Sequence, residues 1–194
     1  MVTGRISFVF LVVMLASVSS AQAAPLNLVL QTPDITSNFT DVAYDSVTDS
    51  LSANGFASSL DGSPIAGGTF TLSADISAGG ILNSGTIAIT GTSGIYNSGT
   101  LISGSLTEVG FGANEVLEFL FDPTGGDLFA AYTGRRGGII LSASGYNGDE
   151  FNSNFASAPF NAFSDTAPVP VPAALWLFGS GLLGLMGLAK RAKT

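Results

Sequence analysis

"TFTLSADI", residues 69–76, alternates at every step. Phe70, Leu72, Ala74 and Ile76 fall on one side of an extended chain, and Thr69, Thr71, Ser73 and Asp75 on the other. A period of two is the signature of a half-buried antiparallel strand, apolar on one face and hydrated on the other. "GTIAITG", residues 85–91, places Ile87 and Ile89 together in the same way. The intervening "SAGGILNSG" supplies glycines that accept positive φ, so the two runs read as a hairpin.

The same grammar extends in both directions. "DVAYDSVTDSLSANGF", residues 41–56, predicts a hairpin with Val42 and Tyr44 in one strand, a turn from Asp45 to Asp49, and Leu51 and Ala53 in the return strand. "EVLEFLFDPTGGD", residues 115–127, puts Leu117, Phe119 and Phe121 on one face, with Glu118 opposite them on the expected solvated side. Asp122-Pro123 and Gly125-Gly126 are expected to break that strand. "GGIILSASGYNG" adds a strand with Ile139, Leu141 and Ala143 on one side, and Gly104 within "TLISGSLTEV" marks a candidate bulge. "GILNSGTIAITG" and "GIYNSGTLISGS" echo each other fourteen residues apart. Two copies fit a meander better than a solenoid. The expected fold class is all-β, an antiparallel sandwich or open barrel or meander, flanked by an N-terminal signal-peptide helix and a C-terminal transmembrane helix.

Composition narrows the function. The chain has 194 residues, a formal charge of -8, and neither Cys nor His. All 14 acidic residues fall between Asp34 and Asp165, where Arg135 and Arg136 are the only cations. Nucleic-acid binding, which needs a basic surface, is excluded as an expectation. Without His or Cys there is no thiolate nucleophile, no imidazole base and no common transition-metal ligand. The chain reads as non-catalytic, with no cofactor or metal called for.

The two ends are apolar. "MVTGRISFVFLVVMLASVSSAQAAP" has a basic start at Arg5, an apolar run from Ile6 to Ala16, and a small-x-small site at Ala21-Gln22-Ala23. Cleavage is expected after Ala23, leaving Ala24 as the new N-terminus, through the general secretion machinery and signal peptidase. At the other end, Ala173 to Ala189 carries no charge, holds six leucines, and is followed by Lys190, Arg191 and Lys193. As a helix it would reach roughly 26 Å, near the lower limit for a bilayer core. The basic residues would hold its end in the cytoplasm and leave the β-rich domain outside.

"VPVPAALWLFGSGLLGLMGLAKR" resembles the PEP-CTERM sorting signal in its VPxPA variant: a short proline motif (Val169, Pro170, Val171, Pro172, Ala173), one transmembrane helix and a basic tail. Val171 stands where the name-giving Pro-Glu-Pro has Glu, which leaves the type of processing enzyme open. The resemblance implies export, a transient inner-membrane stage, processing by an exosortase, and a final place on the surface or in the exopolysaccharide-rich biofilm matrix of a Gram-negative bacterium. The strand–turn pattern is similar, less specifically, to domains of other proteins of this class. The division that follows is signal peptide 1–23, exported β-rich domain 24–164, proline-rich linker and sorting motif 165–172, transmembrane helix 173–189 and cytoplasmic tail 190–194.

Other groups are weighed on their residues. Glu115, Glu118 and Asp122 lack the arrangement of a glycosidase acid–base pair. Asp41, Asp45 and Asp49 fit turn chemistry better than a calcium loop. "GRRGG" offers Arg135 and Arg136 either to the protein's own carboxylates or to an acidic sugar. "DEFNSNFASAPFNAF" places Phe151, Phe155, Phe160 and Phe163 together, with room for one helical turn; they are read as core that covers the open end of the sheet, ahead of the alternative that they stack on sugar rings. The expected function is a non-catalytic surface or matrix protein; the alternative is an envelope-anchored carbohydrate-binding module.

Overall fold

The structure, a computed structural model, describes residues 24–112 and 115–170. The expected signal segment 1–23, the span 173–189 and the basic tail lie outside the described residues. The strands are β1 (Ile35–Asp45), β2 (Ser50–Leu60), β3 (Ser63–Pro64), β4 (Ala66–Ser77), β5 (Ile81–Ser93), β6 (Tyr96–Phe111), β7 (Leu117–Gly125), β8 (Arg136–Ser142), β9 (Phe155–Ala156) and β10 (Ala162–Val169). A 3-10 turn, Phe129–Tyr132, joins β7 to β8.

The long strands run β1–β2–β4–β5–β6–β7–β8–β10, and β10 pairs back onto β1, all antiparallel. The sheet is therefore a closed eight-stranded barrel, with β3 and β9 as two-residue additions to β2 and β1. All-β and meander-like hold. Sandwich and open barrel do not, because β1 pairs with β2 from Ile35 to Asp45 and with β10 from Ile35 to Thr40, which closes the sheet. Closure leaves no long unpaired edge.

The quoted strand decides the inside. Phe70, Leu72, Ala74 and Ile76 are buried, with every residue between them exposed. They meet Leu51, Ala53, Ile87, Ile89, Phe119, Phe121, Ile139 and Leu141 in one core. Eight strands give an interior just wide enough for side chains to fill, and large rings are set against missing ones. The Phe121 ring lies over both Gly104 and Gly137, where an added Cβ would overlap it. Gly104 also sits at the irregularity between β6 and β7 that its position in the sequence announces. At one mouth Tyr44, Phe111, Tyr146, Phe151 and Phe155 form a plug with ring centroids 5.0–5.6 Å apart. Apart from Phe56 and Ile81, the outer faces of β2, β4 and β5 carry mainly Ser, Thr, Asn and Asp, the reverse of a lipid-facing barrel.

Several local expectations change. β7 runs through Asp122-Pro123 to Gly125, since pairing with β6 continues there while pairing with β8 stops at Phe121, before the proline. The possible helical turn at Phe151 is an irregular turn, with Glu150 and Phe151 at φ 55 and 63. Phe151 and Phe155 are core, whereas Phe160 and Phe163 are exposed. Asp165 to Val169, read as linker, form the second half of β10, paired with Arg136 to Ile140. Prolines fit there because Pro168 sits near a strand end.

Candidate functional site

A groove lies on the outside of the barrel, beside the place where β10 ends at Val169 and Pro170 follows. Residues 24–31 cross the outer face as a strap. Leu26, Leu28 and Leu30 are half-buried against the barrel, and Asn27 and Val29 face solvent. Two glycines make the strap fit: a Cβ on Gly110 would strike Leu26, and one on Gly138 would strike Leu30 and Val169. The Gln31 N–H donates to the Pro168 carbonyl at 3.0 Å, tying the strap to β10.

Glu118 holds the strap. Its carboxylate accepts the backbone N–H of Asn27 and of Leu28, both at 3.0 Å. Glu118 is only 8% exposed. The expected solvated position is corrected: the side chain does point away from the core face, but the strap covers it. Period-two patterning identifies an outward residue, not what lies over that outward face. The one available signal was the apolar alternation of "LNLVL", residues 26–30, directly after the expected cleavage site.

Beside the strap the groove encloses about 810 Å³. Its apolar wall includes Leu26, Leu28, Leu120 and Val169, and its polar wall Glu108, Asp122 and the two arginines. Arg136 on β8 forms an ion pair with Glu108 on β6 and approaches Asp122 on β7, Nε to Oδ1, at 3.6 Å. The cluster spans three neighbouring strands, is roughly half exposed, and carries one positive against two negative charges. Arg135 instead donates to the Gln31 side chain at 3.2 Å. The two arginines thus point to different partners, and Arg136 follows the reading in which it serves the protein's own carboxylates. Such a groove suits an uncharged or apolar chain segment better than an anion.

Of the sorting-motif residues, Val169 ends β10 and Pro170 lines the groove. Val171, Pro172 and Ala173 lie outside the described residues, as do Ala21, Ala23, Lys190, Arg191 and Lys193. Ala24 is exposed at the start of the strap.

No protein-family model, curated protein or solved structure matches this chain. Function is therefore argued from the chain's own chemistry.

The remaining polar groups are mostly structural. Asp45 accepts the Val47 N–H at 2.9 Å, a local turn bond, whereas Asp41 lies within β1 and accepts the N–H of distant Phe160 at 2.7 Å, a tertiary contact that turn chemistry did not anticipate. No cluster of metal-ligating side chains occurs among the described residues. Inside the barrel, Ser37, Thr40, Ser164 and Thr166 are fully buried, and their hydroxyls have no partner among the described residues. Asp34, directly before β1, is held above the usual carboxylate range by burial and then by Asp165 and Asp61. Burial, followed by Asp34 and Asp61, pushes the Tyr132 hydroxyl far above the ordinary phenol range.

Proposed function

We propose that this chain is an exported, non-catalytic surface or extracellular-matrix protein, carried out by a signal peptide and sorted by a PEP-CTERM-like signal that an exosortase processes. The barrel is then the working product. One observation carries the reading: the folded unit fills the interval between the two signals. The strap packs from Leu26, two residues after the expected first cut, and β10 pairs as far as Val169, the first residue of the sorting motif. Processing at either place spares every barrel strand.

Intact mass and cellular location of the mature protein in its host test this directly. The expected product begins at Ala24, ends near Val169 to Ala173, and is found outside the inner membrane. A mass that retains Lys190 to Thr194, on a protein that stays in the inner membrane, would replace sorting with permanent anchoring.

A further inference from the structure

Three exposed phenylalanines form a row across adjacent strands. Phe56 on β2 is the register partner of Asn38 on β1. Phe39 follows within the irregularity that separates Ser37 from Thr40, and Phe163 on β10 lies opposite it, between the paired positions 162 and 164. Phe160 closes the row from the preceding loop, tied to Asp41 by its backbone N–H. Their exposures are 61% for Phe39, 58% for Phe56, 60% for Phe160 and 45% for Phe163. The row runs perpendicular to the strands and spans roughly 10 Å over three of them.

The backbone is bent to present these rings. Phe39 and Phe160 both sit at positive φ, 52 and 55, which bulky side chains disfavour. Strain of this kind collects where a structure has a use for it. Without the extra residue at Asn38–Phe39, Phe39 would keep the inward phase set by Ile35 and Ser37.

Size and charge choose the occupant. Four half-exposed rings offer roughly 400–500 Å² of apolar surface, well short of the ~800 Å² per partner of a stable protein interface. The nearby ionisable groups are Asp41 and Asp165, and both described cations lie elsewhere: Arg136 is paired with Val169, six residues along β10 from Phe163. An anionic chain would be repelled. Flat apolar faces flanked by Asp41 and Asn38, which offer hydrogen bonds to hydroxyls, match a sugar ring with one apolar face and an equatorial hydroxyl rim. We infer that this row is a binding platform for an uncharged polysaccharide. The inference rests on the proposed extracellular function, since the ligand is found there.

Native affinity electrophoresis tests it, with the purified protein run through gels containing hydroxyethyl cellulose, laminarin or xylan, and through alginate as the anionic comparison. At least one neutral polysaccharide should retard the protein. Phe56→Ala and Phe163→Ala should each weaken retardation about tenfold, and Ile95→Ala, at an exposed apolar residue in the turn between β5 and β6, should leave it unchanged. Phe160→Ala, in a loop outside the barrel wall, repeats the test should either strand variant unfold. Retardation by none of the neutral chains, retardation by alginate alone, or indifference to the Phe substitutions overturns the platform. So does sedimentation showing a dimer that Phe163→Ala abolishes. A protein found in the matrix that binds no neutral chain refutes the platform and leaves the sorting proposal standing; a protein that binds but stays in the inner membrane does the reverse.

Discussion

Replacing Glu118 with Ala removes the acceptor of two strap N–H groups in one step. A hydrogen bond to a charged group contributes about 1.5–3 kcal/mol. Asn27 is exposed, so its N–H can turn to water once freed. The pair is therefore expected to contribute roughly 2–4 kcal/mol to strap docking. The barrel closes without the strap, so this loss should appear as local opening rather than global unfolding. The reporter is the amide of Gln31, which bonds to Pro168 and not to Glu118, so its exchange follows docking and not the deleted contact. At 1.4 kcal/mol per decade, Gln31 amide exchange in Glu118→Ala should accelerate by roughly 30- to 1000-fold. Amides of Leu72 and Ile89, in the barrel wall far from the strap, should change little. Unchanged exchange at Gln31 would show that apolar packing alone holds the strap. Equal acceleration at Leu72 would show that strap and barrel open as one unit.

Three further substitutions probe the interior. Thr166→Val deletes a fully buried hydroxyl that lacks a partner and should raise stability by about 1 kcal/mol, read as a higher denaturation midpoint; a lower midpoint would show that the hydroxyl is satisfied. Gly137→Ala forces a Cβ into the Phe121 ring and should cost about 1–3 kcal/mol, measured in the same way; an unchanged midpoint would mean that the ring moves freely. Asp34 binds its proton more tightly folded than unfolded, because burial and then Asp165 and Asp61 raise its pKa above the ordinary 3.8. Between that value and the raised one the native state holds more protons, so this carboxyl's contribution to stability increases as pH falls through the window. Asp34→Asn should remove that component from the pH–stability profile, and an identical profile in the variant would refute the assignment.

The interior was legible because burial imposes a period that a single strand displays. Phe70 to Ile76 and Leu117 to Phe121 announce themselves, and so does the turn between Tyr44 and Leu51. Closure was not legible, because β10 reads as a proline-rich tail. Ser164 and Thr166 face inward with hydroxyls where an apolar pattern was sought, and Pro168 resembles a strand breaker. The eighth strand, without which the sheet stays open, is thus disguised by composition. Glu118 and Phe163 erred in opposite senses for one reason: both point outward, and only tertiary contacts decide whether an outward residue meets the strap or water. Phe39 is harder still, since the bulge that turns it out carries no glycine to signal it.

The last residue of the strap, Gln31, the Arg136 end of the ion cluster and Pro170 share one end of the barrel, and the aromatic row lies farther along β10. Gln31 and Pro168 are joined by a hydrogen bond, so the first and last described segments run together over the groove. On the proposed membrane stage, a chain leaving Pro170 for the bilayer sets this end nearest the lipid. Phe163 lies six residues back along β10 from Val169, about 20 Å at the rise of a strand. That separation sets the row back from the headgroups, on the side wall of the barrel, while the tail is still attached. The two proposed activities therefore need not wait for each other: the platform is open before release as well as after. If the tail-bearing form, purified in detergent, bound the same neutral polysaccharide far more weakly than the processed form, the row would have to lie against the membrane, and this orientation would fail.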